Sequence, residues 1–90
     1  MSTNAGWLDC TIEPGMFPSE YAVEIDTADT GRVSLFASTD RVVVGPDGPR
    51  LKVDVLSDDS EQALIRLPDY AFEVGSRIVQ VLRSSLRAGE

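Results

Sequence analysis

The chain has 90 residues, 42% apolar and 26% charged, with 15 acidic and eight basic side chains, no histidine and a formal net charge of −7. This composition supports a hydrophobic core and argues against disorder of the whole chain, and the negative balance argues against nucleic acid and anionic membranes as partners. The lack of histidine removes the usual hydrolytic triads, zinc sites and proton shuttles, and a lone cysteine, Cys10, leaves no internal disulfide.

Charge is unevenly spread. Residues 1–49 carry eight acids and two bases (Arg32, Arg41), whereas residues 50–90 carry seven acids and six bases. Met1 to Cys10 has neither the basic start nor the apolar run of a signal peptide, and no stretch approaches the roughly 18 apolar residues of a membrane span. The expectation is a soluble cytoplasmic protein with a flexible N-terminus at residues 1–6 and a single small domain at 7–88.

In chain order, WLDCTIE alternates Leu8, Cys10 and Ile12 with polar residues and predicts a first strand, entered at Trp7 and ended by Pro14-Gly15. The connection PGMFPSE has an apolar tip, Met16 and Phe17, held between two prolines. YAVEID and RVSLFA then predict a hairpin across TADTG, with Val33 and Leu35 inward and Phe36 outward. A short break at Ser38–Asp40 precedes a fourth strand, RVVV.

RLKVDVL, between the turn-forming GPDGP and SDDS, is the clearest strand: Leu51, Val53 and Val55 share one face, while Lys52 and Asp54 form a solvated pair on the other. ALIRL predicts a sixth strand. For the last third, the reading is one helical turn at Pro68–Glu73, a break at Gly75 and a seventh strand at Arg77–Leu82, apolar on both faces as if crossing the middle of a barrel. Short strands with Gly, Pro and Asp turns predict an all-β fold, a small barrel of five to seven strands. The alternative is an open antiparallel sheet carrying a C-terminal helix, because Val74, Ile78, Val81, Leu82 and Leu86 also fit one helical face.

The closing run, RLP, a helical turn, VG and RIVQV, resembles the end of a small SH3-like barrel. GMFPSEYAV and LIRLP are similar to short bacterial proteins of no assigned function. The resemblance implies a fold and no activity, because SH3-like barrels serve many purposes.

Few residues suggest chemistry. Cys10 has no histidine to activate it and reads as a small core residue. Asp58, Asp59 and Glu61 cluster, but they lack calcium-loop spacing and its glycine, so no metal is expected. No glycine-rich phosphate loop occurs, and no cofactor and no catalytic residue is expected. The aromatic and apolar residues Trp7, Met16, Phe17, Phe36, Tyr70 and Phe72 either plug the ends of the barrel or form a partner surface. Together these features point to a non-enzymatic interaction module whose partner is another protein or a second copy of the chain. One alternative is an RNA-binding barrel using Arg66, Arg77, Arg83 and Arg87, and the other is an accessory subunit of an enzyme.

Overall fold

Alternating apolar residues produce strands along nearly the whole chain. The structure is a computed structural model and describes residues 4–88. It is all-β, with β1 (Asn4–Asp9), β2 (Thr11–Pro14), β3 (Glu20–Asp26), β4 (Arg32–Ser38), β5 (Val42–Gly45), β6 (Gly48–Asp58), β7 (Gln62–Ala71), β8 (Ser76–Leu82) and β9 (Leu86–Ala88). Among the described residues the helical segments are two isolated 3-10 turns, Thr39–Arg41 and Arg83–Ser85, and no helix is long and apolar enough to cross a membrane.

The strands form two antiparallel sheets. The larger runs β8-β7-β6-β1-β9, with β5 also on β6; the smaller runs β2-β3-β4. RLKVDVL lies in β6, the longest strand. Along one of its edges it pairs with β1 from Asp9↔Arg50 to Asn4↔Val55. The other edge is shared: β5 takes Gly48 to Leu51, and β7 takes Asp54 to Asp58. Lys52 and Val53 lie in the gap between the two. Leu51 and Val53 are buried and Val55 half-buried, and a register shift between Val55 and Ser57 then ends the clean alternation.

One core joins the sheets. Leu8, Leu51, Val53, Ile65, Leu67 and Val81 from the larger meet Val23, Ile25, Val33 and Leu35 from the smaller. Close approach of β1 to its neighbours depends on Gly6, where a Cβ would come within 2.9 Å of the Val55 side chain and 3.2 Å of the Arg87 carbonyl oxygen.

The seams between the sheets consist of isolated hydrogen bonds, so the strands do not close into a continuous barrel. At one seam the Cys10 N–H donates to the Pro49 carbonyl at 3.3 Å. At another, the Phe72 N–H donates to the Ser34 carbonyl at 2.9 Å, and the Glu73 carboxylate accepts from the Ser34 N–H and hydroxyl, each at 2.7 Å. At a third, the Ala28 N–H in the β3–β4 turn donates to the Gln80 carbonyl of β8 at 2.7 Å.

Several expectations are corrected. The first strand starts at Asn4, not Trp7, and divides at Cys10, where the chain passes from one sheet to the other; that division and the short β9 raise the count from seven to nine. Met1–Thr3, expected to be flexible, lie outside the described residues. No helical turn occupies Pro68–Glu73, because β7 continues to Ala71. Its ladder with β8 jumps from Arg66↔Ile78 to Ala71↔Ser76, leaving Leu67–Tyr70 opposite Arg77 alone. Proline has no N–H for a ladder, so Pro68 sits within this bulge. The chain then turns over Phe72–Gly75, closed by a bond from the Gly75 N–H to the Ala71 carbonyl at 2.8 Å, with Gly75 at φ +61°.

The C-terminal helix of the alternative does not form either, since Ile78, Val79 and Val81 favour the extended chain. β8 is an edge strand rather than a central one. Val79 and Val81 are buried, while Ile78 and Leu82 are each about half exposed.

Candidate functional site

Each sheet has an outer face, and the two differ in chemistry. On the smaller sheet, Val23, Ile25, Val33 and Leu35 point to the core, so Glu13, Ala22, Glu24, Ser34 and Phe36 point away. The register sets Glu13 opposite Ala22 and Ala22 opposite Phe36, with Thr11, Glu24 and Ser34 forming the adjacent row. Phe72 reaches this face from the turn after β7 and packs edge-to-face on Phe36, with ring centroids 5.3 Å apart and planes at 75°.

A groove of about 330 Å³ lies here, lined by Ile12, Glu13, Ala22, Glu24, Phe36 and Phe72 among others. The small side chain of Ala22 forms its floor between the larger neighbours. Arg32 meets Glu24 at 3.5 Å and Asp26 at 3.1 Å, whereas Glu13 has no cation within 4.0 Å among the described residues. The two Ser34 bonds, hydroxyl first and N–H second, hold the Glu73 carboxyl below the usual carboxylate range. They also fix the turn that presents Phe72.

The outer face of the larger sheet carries bases. Trp7 is half-buried there, opposite Lys52 of β6 on one side and Arg87 of β9 on the other. Asp54 lies opposite Arg66 and holds it through one carboxylate oxygen at 2.9 and 3.2 Å. It therefore pairs across strands with Arg66 rather than with Lys52. Where β5 ends and β7 begins along β6, a polar hollow of about 110 Å³ is lined by Arg41, Lys52, Asp54, Arg66, Pro68 and Arg77, with Val53 and Leu67 behind. Arg77 fills the bulge opposite it, its Nε donating to the Leu67 carbonyl at 3.0 Å.

The four arginines of the RNA-binding alternative therefore occupy two places. Arg66 and Arg77 line the polar hollow, while Arg83 and Arg87 border a different depression beside Asn4, Val55 and Asp58. Arg83 is bound to Asp58 at 3.1 Å and to the Leu86 carbonyl at 3.0 Å, and Arg87 lies 4.0 Å from Asp9.

The six aromatic and apolar candidates are likewise dispersed. Phe36 and Phe72 form the groove. Met16 and Phe17, 74% and 63% exposed, crown a separate shallow hollow with Pro14, Pro18 and Tyr21. Tyr70 projects from the β7 bulge, and Trp7 lies among the bases. Met16, Phe17, Tyr70 and Phe72 are too exposed to be plugs of the core.

Cys10 is half-buried at the seam, where burial first and the Asp9 charge second push its thiol up to about 11. In the acidic loop, Asp59 accepts the N–H groups of Gln62 and Glu61, each at 2.8 Å, which hold its carboxyl below the usual range, and Asp58 is taken by Arg83. Among the described residues no group of three or more Cys, Asp or Glu side chains is placed to hold a metal ion.

No family model, curated protein or solved structure matches the chain. The site must be read from its own residues.

Glu13, Ala22, Glu24, Arg41 and Lys52 are the participants that sequence reasoning did not single out. Alternation alone turns Lys52 and Arg66 outward. Their convergence with Arg41 and Arg77 depends on the pairing of β5, β6, β7 and β8, which is not legible from spacing.

Proposed function

We propose that the protein is a non-catalytic interaction module whose outer groove on β2-β3-β4 receives a basic segment of a protein partner. The observation that carries this reading is the edge-to-face pair Phe36–Phe72 standing beside Glu13 and Glu24 over one groove. Aromatic walls favour an apolar or guanidinium-bearing side chain, and carboxylates at the rim favour its positive charge. The N-terminal half, which supplies most of this face, holds eight acids against two bases, so charge complementarity selects a cationic partner. Fold alone assigns no function, so the reading is carried by the groove itself.

The test is selection of linear peptides on the native protein, followed by amide-shift mapping. Enriched sequences are expected to carry Arg or Lys next to an apolar residue, with shifts confined to Ile12–Glu13, Ala22–Glu24, Ser34–Phe36 and Phe72. Enrichment of acidic peptides, or shifts elsewhere on the surface, would overturn the reading.

A further inference from the structure

The chain has eight basic side chains against 15 acidic ones, a ratio at which every base could find a carboxylate. Five do so: Arg32, Arg50, Arg66, Arg83 and Arg87 each lie within 4.0 Å of an acid. Among the described residues the remaining three, Arg41, Lys52 and Arg77, have none. All three line the same hollow, and Arg66 borders it too.

Like charges gathered on a sheet face repel, so an acidic protein that leaves its unpaired cations together leaves them facing a common anion. The single carboxylate in the hollow, Asp54, is engaged by Arg66. Arg77 is oriented by the Leu67 carbonyl through its Nε, and its terminal nitrogens have no protein acceptor among the described residues. Guanidinium and ammonium donors presented in this way suit the oxygens of a tetrahedral dianion.

We propose that this hollow binds one phosphate group, free or as the monoester of a small molecule. Its volume of about 110 Å³ suits one oxyanion with part of its hydration. A strand of nucleic acid needs a continued cationic track, which the arginines to either side do not supply. Arg50 is shared by Asp9 and Asp47, and Arg87 lies beside Asp9. A polyanion leaving the hollow would meet neutralised arginines and then the negative remainder of the molecule. The hollow and the groove of the other sheet share no residue.

The experiment titrates native protein with inorganic phosphate, phenyl phosphate and a short single-stranded oligonucleotide, each against chloride at matched ionic strength. Expected is saturable 1:1 binding of phosphate, with Tm rising roughly 5–10 °C for each tenfold of ligand above Kd. Binding should weaken severalfold between pH 7.5 and pH 5, because the second ionisation of a phosphomonoester lies near about 6. Stronger binding of phenyl phosphate than of free phosphate identifies the monoester as the source, and the reverse order identifies the free ion.

Arg41→Gln with Lys52→Gln changes two exposed side chains that make no ion pair among the described residues. It should weaken phosphate binding about tenfold or more, whereas Arg87→Gln should leave it unchanged. The proposal is overturned by a wild-type protein with no saturable phosphate response, or by a response that survives the double substitution. It is also overturned if the oligonucleotide binds more tightly than either phosphate, with a salt slope of several released ions.

Discussion

The two outer faces are built from the same alternation and differ in what their neighbours leave unpaired. On β2-β3-β4 the carboxylates outnumber the cations, and an aromatic pair stands among them. On the face of β1, β6 and β7, by contrast, cations outnumber carboxylates around a hollow with little apolar lining. One 90-residue chain of net charge −7 thus presents surfaces of opposite polarity. Net charge describes long-range behaviour, and local pairing decides what a surface can hold.

Leu51 is fully buried and belongs to the core that supports both faces, so Leu51→Ala should cost about 2–5 kcal/mol in denaturant unfolding. Peptide and phosphate binding should then fall together as the folded fraction drops; loss of one alone would show that the faces do not share a foundation. Phe72→Ala separates them. It removes a 62% exposed ring, so the stability loss should stay near the roughly 0.5–1.5 kcal/mol of an aromatic pair. Peptide affinity should nevertheless fall about tenfold or more, with phosphate binding unaffected.

Glu73→Gln probes how the aromatic wall is held. The folded-state carboxyl is depressed by its Ser34 bonds, so its contribution is complete above the unfolded value near about 4.3 and disappears as pH falls through the lower folded value. Wild type should therefore be more stable than the variant at neutral pH, and the difference should close in acid. A gap that stays constant to pH 2 would show that the charge is not what the contact uses.

Asp54→Asn has the smallest expected effect on stability. The Asp54–Arg66 pair is partly exposed and worth roughly 0.2–1 kcal/mol, but its loss releases Arg66 to the hollow. Phosphate affinity should rise severalfold in calorimetry while peptide affinity stays constant.

What was legible in advance follows from the range of the interactions involved. Leu51, Val53 and Lys52 could be assigned to faces because alternation is local, and β3 and β4 likewise emerged where expected. β8 was harder: Ile78, Val79, Val81 and Leu82 are all apolar, and only the finished sheet shows that Val79 and Val81 are the covered pair. Pro68 with Gly75 fits a helical turn as well as a bulge, and the choice between them lies in the β7–β8 ladder, above all the Arg66↔Ile78 pair. Both candidate sites depend on such pairs. Phe36 meets Phe72 across a seam of isolated hydrogen bonds, and Lys52 shares a hollow with Arg41 and Arg77 through the ladders of β5 to β8; local periodicity specifies neither.

The hydrogen bond from Ala28 to Gln80 has a consequence for solution behaviour. β8 is a seven-residue outermost strand with Ile78 and Leu82 exposed, the kind of border on which a foreign strand can add. The β3–β4 turn lies against that border and occupies the Gln80 carbonyl. A hairpin that builds the acidic face thereby also acts as a guard rail, obstructing the strand-by-strand stacking that begins an aggregate.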